Sequence, residues 1–142
     1  MSMKSGALYL IAILSALLVI MPGFAEQLAP GDTVRAVIDA DGKQQVQILG
    51  GSYFFKPKHI IVKVNVPVAL SITRESGIVP HTFVMKIPES GIMLDESLST
   101  EARTVEFTPT AVGKYKFYCR NKLPFFKSHE EKGMKGIFEV VP

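Results

Sequence analysis

A single cysteine, Cys119, is all this 142-residue chain contains. An intramolecular disulfide is therefore excluded, and the thiol must be buried and inert, reactive, or bound to a metal. In an oxidising compartment a free thiol is a liability unless something occupies it. The chain also lacks low-complexity tracts, internal repeats and glycine- or serine-rich linkers, so nothing divides it into separate domains. A large excess of one charge is missing too. Sixteen basic residues face 13 acidic ones, a balance that argues against a nucleic-acid role.

What is present begins with an N-terminal export pattern. Lys4 supplies a positive charge, Ala7 to Ile20 is apolar apart from Ser15, Pro22 breaks the run, and Gly23-Phe24-Ala25 offers small residues for cleavage. The apolar run is shorter than the roughly 20 residues that span a bilayer, so a cleaved signal peptide over residues 1–25 is expected rather than a retained anchor. No cysteine follows the run to accept a lipid. Residues 26–142 are then expected to form one exported, soluble domain with 15 basic and 13 acidic residues. Their charge is uneven. Lys114, Lys116, Arg120, Lys122, Lys127, Lys132 and Lys135 meet only Glu130 and Glu131 between residues 114 and 135. Such a cluster either steers an acidic partner toward this region or is a solvated surface.

The dominant period of the mature chain is two. Thr33 to Ala40 and Gln44 to Leu49 read as strands around a turn at Asp41-Gly42. Alternating apolar positions follow at Ile60, Val62 and Val64, at Val68, Leu70 and Ile72, at Phe83, Met85 and Ile87, and over Thr104 to Phe107. Lys114 to Cys119 sets Tyr115, Phe117 and Cys119 on one face, and Gly136 to Val141 closes the chain. Short strands punctuated by proline and glycine predict an all-β, antiparallel β-sandwich. One helix is expected, around Pro124 to Lys132, with the proline in its first turn.

Cys119 is followed ten residues later by His129 and then by Met134, while His81 lies upstream in Pro80-His81-Thr82-Phe83. A thiolate, two imidazoles and a thioether are the donors of a mononuclear copper site, with the methionine as a long, weak axial ligand. Strand parity supports the grouping. Cys119 shares the face of Phe117, and His81 that of Phe83 and Met85, so both point inward at one end of the sandwich if their strands are antiparallel neighbours. His59 shares parity with Lys63 and Asn65 and is expected to be an ordinary surface histidine.

These segments resemble the cupredoxins, the blue-copper family that includes plastocyanin, azurin and pseudoazurin. The resemblance covers roughly residues 45 to 142. It rests on Phe55-Lys56-Pro57 with His59-Ile60-Ile61-Val62, on Pro80-His81-Thr82-Phe83, and on Gly113-Lys114-Tyr115-Lys116-Phe117-Tyr118-Cys119 leading to His129 and Gly133-Met134-Lys135-Gly136. It implies a Greek-key sandwich, one copper ion held by His81, Cys119, His129 and axial Met134, and single-electron transfer between a redox donor and acceptor in the periplasm or its equivalent. Two features depart from the family. Nine residues, Arg120 to Ser128, separate the cysteine from the second histidine where two to four are usual. Thr82 stands where plastocyanin and azurin often carry an asparagine that braces the ligand loops, so the bracing bonds must differ. In the inserted loop, Phe125 and Phe126 are candidates to cover the metal or to anchor the loop by packing.

Other readings are weaker. A copper carrier or storage protein would use the same donors and bind chiefly the cuprous ion. A hydrolase built on Cys119 and His129 lacks an acidic orienting residue and an oxyanion-loop signature, so no enzyme is expected. Zinc would suit one cysteine and two histidines, but methionine is a poor zinc ligand. A binuclear copper centre needs two bridging cysteines, and a copper nitrite reductase needs further metal sites and a longer chain.

Overall fold

The computed structural model describes residues 32–142, so the expected signal segment lies outside the described residues. Eleven strands form two sheets. They are β1 (Thr33–Arg35), β2 (Val37–Ile38), β3 (Gln44–Gly51), β4 (Phe54–Lys56), β5 (His59–Lys63), β6 (Val68–Arg74), β7 (Thr82–Ile87), β8 (Ile92–Ser97), β9 (Arg103–Phe107), β10 (Gly113–Tyr118) and β11 (Lys135–Val141). One sheet has the order β1-β5-β11-β10-β7-β8, the other β2-β3-β6-β9 with β4 added to β3. The expected all-β Greek-key sandwich is therefore present.

Pairing within the sheets is mixed. The β1–β5, β5–β11 and β3–β6 pairs run parallel. Alternation shows which face of a strand is buried, not the direction of its neighbour, so the sequence could not distinguish these pairs from antiparallel ones. The segment expected as one strand over Thr33 to Ala40 is split between the sheets, β1 joining one and β2 the other. The turn at Asp41-Gly42 does close a β2–β3 hairpin. Asp39 Oδ1 accepts from the amides of Asp41 (3.0 Å) and Lys43 (2.9 Å), and Gly42 takes φ +77°, a conformation that suits glycine.

The inward residues make one core. Phe55, Phe83 and Phe117 are fully buried and meet with ring centroids 5.3–5.7 Å apart. Each of two of these rings sits two residues from a candidate ligand, Phe83 after His81 and Phe117 before Cys119. The aromatic cluster is thus the floor of the candidate site. Gly136 lies opposite Phe117 in the β10–β11 ladder, and a Cβ there would collide with the Phe117 ring and the Lys58 carbonyl. At the far end, buried Gln44 ties the corner between β5 and β6. Its Nε2 donates to the carbonyls of Lys63 (3.0 Å) and Val66 (3.1 Å), while its Oε1 accepts from the Lys63 amide (2.6 Å).

No helix forms over Pro124 to Lys132. Phe125 takes φ +65°, incompatible with helix continuation, and only one helix-like turn follows, from Ser128 to Gly133. Ser128 and Glu131 cap that turn reciprocally: Ser128 N–H donates to Glu131 Oε2 (2.6 Å) and Glu131 N–H to Ser128 Oγ (3.1 Å). Gly133, at φ +107°, ends it. Among the described residues no helix is long and apolar enough to cross a membrane.

Candidate metal centre

Antiparallel pairing of β7 and β10 sets Val84 opposite Tyr118, which brings the start of β7 against the end of β10. His81, just before β7, and Cys119, just after β10, therefore enter from one end of the sandwich, as strand parity requires. The capped turn delivers the third group, because His129 is the residue that follows its Ser128 cap. The next backbone links close the frame: Met134 N–H donates to the His129 carbonyl (2.9 Å), and Cys119 N–H donates to the Met134 carbonyl (3.0 Å). Cys119 and Met134 are fully buried, and His81 and His129 are 4% and 5% exposed.

The donor atoms converge. His81 Nδ1 lies 3.1 Å from His129 Nδ1, and His129 Nδ1 lies 3.4 Å from Cys119 Sγ. The one-atom-per-residue ligand set of His81, Cys119 and His129 falls within 4.8 Å. An ion with bonds of about 2.0 Å to nitrogen and 2.3 Å to sulfur would hold such donors roughly 3.3–3.8 Å apart, so the two short edges are within a few tenths of an ångström of that requirement. Only a shared proton or a cation reconciles two facing imidazole lone pairs at this distance. The Met134 side chain packs near Gly50, where a Cβ would lie 3.3 Å from the Met134 methyl group.

Burial chiefly, then the neighbouring His129 and the Arg74 charge, lowers the His81 pKa to about 4. Burial and then Lys132 lower that of His129. Both imidazoles are thus neutral at neutral pH, the form in which histidine binds metals. His81 Nε2 lies 3.1 Å from Ser52 Oγ; with its proton donated there, Nδ1 is bare toward the other donors.

Most of the bracing is carried by residues that the sequence did not single out. Asn121 accepts from Thr82 Oγ1 (2.9 Å) and donates through Nδ2 to the Pro80 carbonyl (3.2 Å), while its own carbonyl accepts from His129 N–H (2.9 Å). One residue thereby joins the His81 loop to His129 and closes the neck of the nine-residue insertion. The Thr82 amide donates to Cys119 Sγ (3.3 Å), and Thr82 Oγ1 accepts from the Arg120 amide (3.1 Å). Tyr53 covers the histidines edge-on, its ring 4.7 Å from His129 and 6.2 Å from His81. Ser52, Tyr53 and Asn121 carried no sequence signal, whereas Ser128-x-x-Glu131 is a recognisable capping pattern.

Phe125 and Phe126 neither cover the centre nor anchor their loop. They are 105% and 63% exposed, and the shielding expected of them comes from Tyr53. His59 lies apart from the centre, with Nε2 2.7 Å from Glu139. The basic cluster is partly neutralised: Lys114 meets Glu139, Lys116 meets Glu130, Arg120 meets Asp95, and Lys132 lies 4.1 Å over the Tyr53 ring.

No protein-family model and no curated protein sequence matches the chain. Solved structures do. The metal-binding domain of the Cu(I)-exporting P-type ATPase of Streptococcus pneumoniae D39, solved with Cu(I), aligns at 23% identity and TM-score 0.57, covering 78% of this chain and 96% of that one. Auracyanin A, a "blue" copper protein from Chloroflexus aurantiacus, aligns at 15% identity and TM-score 0.52 over 70% and 100% of the two chains. Rusticyanin from Thiobacillus ferrooxidans aligns at 16% identity and TM-score 0.53 over 80% and 84%. The fold is that of the cupredoxins.

Proposed function

We propose that this chain is an exported copper protein that carries single electrons between redox partners, in which His81, Cys119, His129 and Met134 would hold the ion, the thioether contributing most weakly. The observation that carries the reading is the approach of two neutral imidazole nitrogens and a buried cysteine sulfur on a cupredoxin framework. Copper would supply a one-electron couple. The chain's own residues would keep the donors in place in either oxidation state: Ser52 orients His81, Thr82 N–H supports the sulfur, and Asn121 and the capped turn fix His129. A site whose donors move little between states needs little reorganisation, which is what fast electron exchange demands. Export is supported by the apolar N-terminal pattern, and an acidic partner by Lys122, Lys127 and Lys135, which make no ion pair among the described residues.

Copper addition to the mature protein, followed by optical and paramagnetic-resonance spectroscopy, tests the proposal. Strong visible absorption that bleaches on reduction is expected, and Cys119→Ser abolishes it. His129→Gln abolishes or reshapes the spectrum while His59→Gln leaves it unchanged; the reverse pattern overturns the ligand set. Met134→Leu is expected to keep the colour and shift the potential. A carrier of cuprous copper, the reading suggested by the likeness to the Cu(I)-exporter domain, would show no reversible cupric state in the same experiment.

A further inference from the structure

The inserted loop between Cys119 and His129 carries an apolar tip that the metal centre does not use. Lys122-Leu123-Pro124-Phe125-Phe126-Lys127 turns back on itself through Phe126 N–H donating to the Leu123 carbonyl (3.3 Å). Proline at the second position and φ +65° at the third, Phe125, follow the pattern of a type II turn, in which glycine is the favoured third residue. The chain instead places phenylalanine in this unfavourable conformation and leaves it fully exposed. Backbone strain of this kind clusters at functional positions. Phe126 is 63% exposed and Leu123 64%, and on the adjoining loop Ile78 is 100% exposed. Ile78, Pro80 and Leu123 line one groove of about 400 Å³ that reaches His129.

The charges around this tip select its occupant. Lys122 and Lys127 flank the four-residue turn, and the carboxylate they face is Glu131. Glu131 is already engaged by the Ser128 amide at 2.6 Å, and the two lysines act on it through space. Two cations against one anion, collared around projecting aromatic and aliphatic side chains, match an anionic bilayer surface. Apolar tips can enter its acyl boundary while ammonium groups remain among the headgroups.

We infer that the tip formed by Leu123, Phe125 and Phe126, with Ile78 beside it, is a membrane-docking element that sets the metal-bearing end of the protein on an anionic lipid surface. The inference does not rest on the copper reading, because the tip contains none of the proposed ligands.

The chain has no tryptophan, so Phe125→Trp supplies a single reporter at the tip, and Val112→Trp supplies one on the exposed β9–β10 connection at the opposite end. With phosphatidylcholine–phosphatidylglycerol vesicles, the tip reporter is expected to shift to shorter wavelength and to be quenched by bromine-labelled acyl chains, while the distal reporter does neither. Phosphatidylcholine alone should bind the protein more weakly, by about fivefold for each lysine engaged. Phe125→Ser with Phe126→Ser should weaken vesicle binding of the processed protein by at least about tenfold, with its thermal unfolding unchanged because both side chains are exposed. Cys119→Ser should insert as the parent does, so loss of the copper spectrum and loss of docking are separately read. The inference is overturned if the tip reporter stays in water on anionic vesicles, if both reporters respond alike, or if the double serine variant binds equally well. A tip that instead holds two copies together, seen as a dimer dispersed by the serine substitutions without lipid insertion, also overturns it.

Discussion

Replacing Asn121 with alanine isolates the bond system that holds the lengthened loop. Besides a long contact from the Cys119 thiol at 3.5 Å, the side chain makes two neutral hydrogen bonds, from Thr82 Oγ1 at 2.9 Å and to the Pro80 carbonyl at 3.2 Å, and it is half-buried. At about 1 kcal/mol each, their loss costs about 1.5–2 kcal/mol, a fall in Tm of roughly 6–10 °C for a domain of this size. The backbone bond from His129 N–H to the Asn121 carbonyl survives the substitution, so the fold and metal uptake are retained. What changes is the stiffness of the neck. The metal should dissociate faster from Asn121→Ala, and the paramagnetic spectrum should broaden. A double-mutant cycle with Thr82→Val separates the contact from general destabilisation, because Thr82 donates directly to Asn121. Thermal or denaturant unfolding of the metal-free proteins should give a coupling energy of about 1 kcal/mol. Strict additivity of the two substitutions, with unchanged metal dissociation, would refute the bracing role.

Gly136→Ala should be among the most damaging single-methyl changes, since the added carbon meets the Phe117 ring and the Lys58 carbonyl; a loss of about 1–3 kcal/mol or more in denaturant unfolding is expected, and a neutral result contradicts the close approach of β5, β10 and β11. The metal-free protein should lose stability on acidification below about pH 6.5. The unfolded chain takes a proton at His81 from there downward, while the folded imidazole, with its pKa lowered to about 4, does not until that pH is reached. The stabilisation is complete above the unfolded value and declines toward pH 4, with a limiting slope of about 1.4 kcal/mol per pH unit from this residue. His81→Gln should flatten the profile measured by denaturant titration between pH 7 and pH 4.5, and an unchanged slope would place the titration elsewhere.

The sandwich was legible in the sequence because strands with one wet face must alternate, and the core positions Ile60, Val62, Leu70, Ile72, Phe83, Met85 and Phe117 repeat every second residue. The same parity placed His81 and Cys119 inward, and residue chemistry named the four candidate donors. These are properties carried by each strand on its own. The direction of β5 against β1 and β11 was not among them, since alternation is identical in parallel and antiparallel ladders. Nor was the absence of a helix after Pro124, where the positive φ of Phe125 overrides a compatible composition.

Apart from the Ser128–Glu131 cap, the bracing of the site belongs to tertiary structure. Ser52, Tyr53 and Asn121 are ordinary residues until β3, β7 and β10 meet at one end and put them beside His81, Cys119 and His129. Sequence alone determined which atoms could bind a soft ion, because donor chemistry is a property of the side chain. Only the folded chain decided that Nδ1 of His81, Nδ1 of His129 and the Cys119 sulfur stand a few ångströms apart, because that distance is fixed by strand pairing and loop closure between residues up to 48 positions apart.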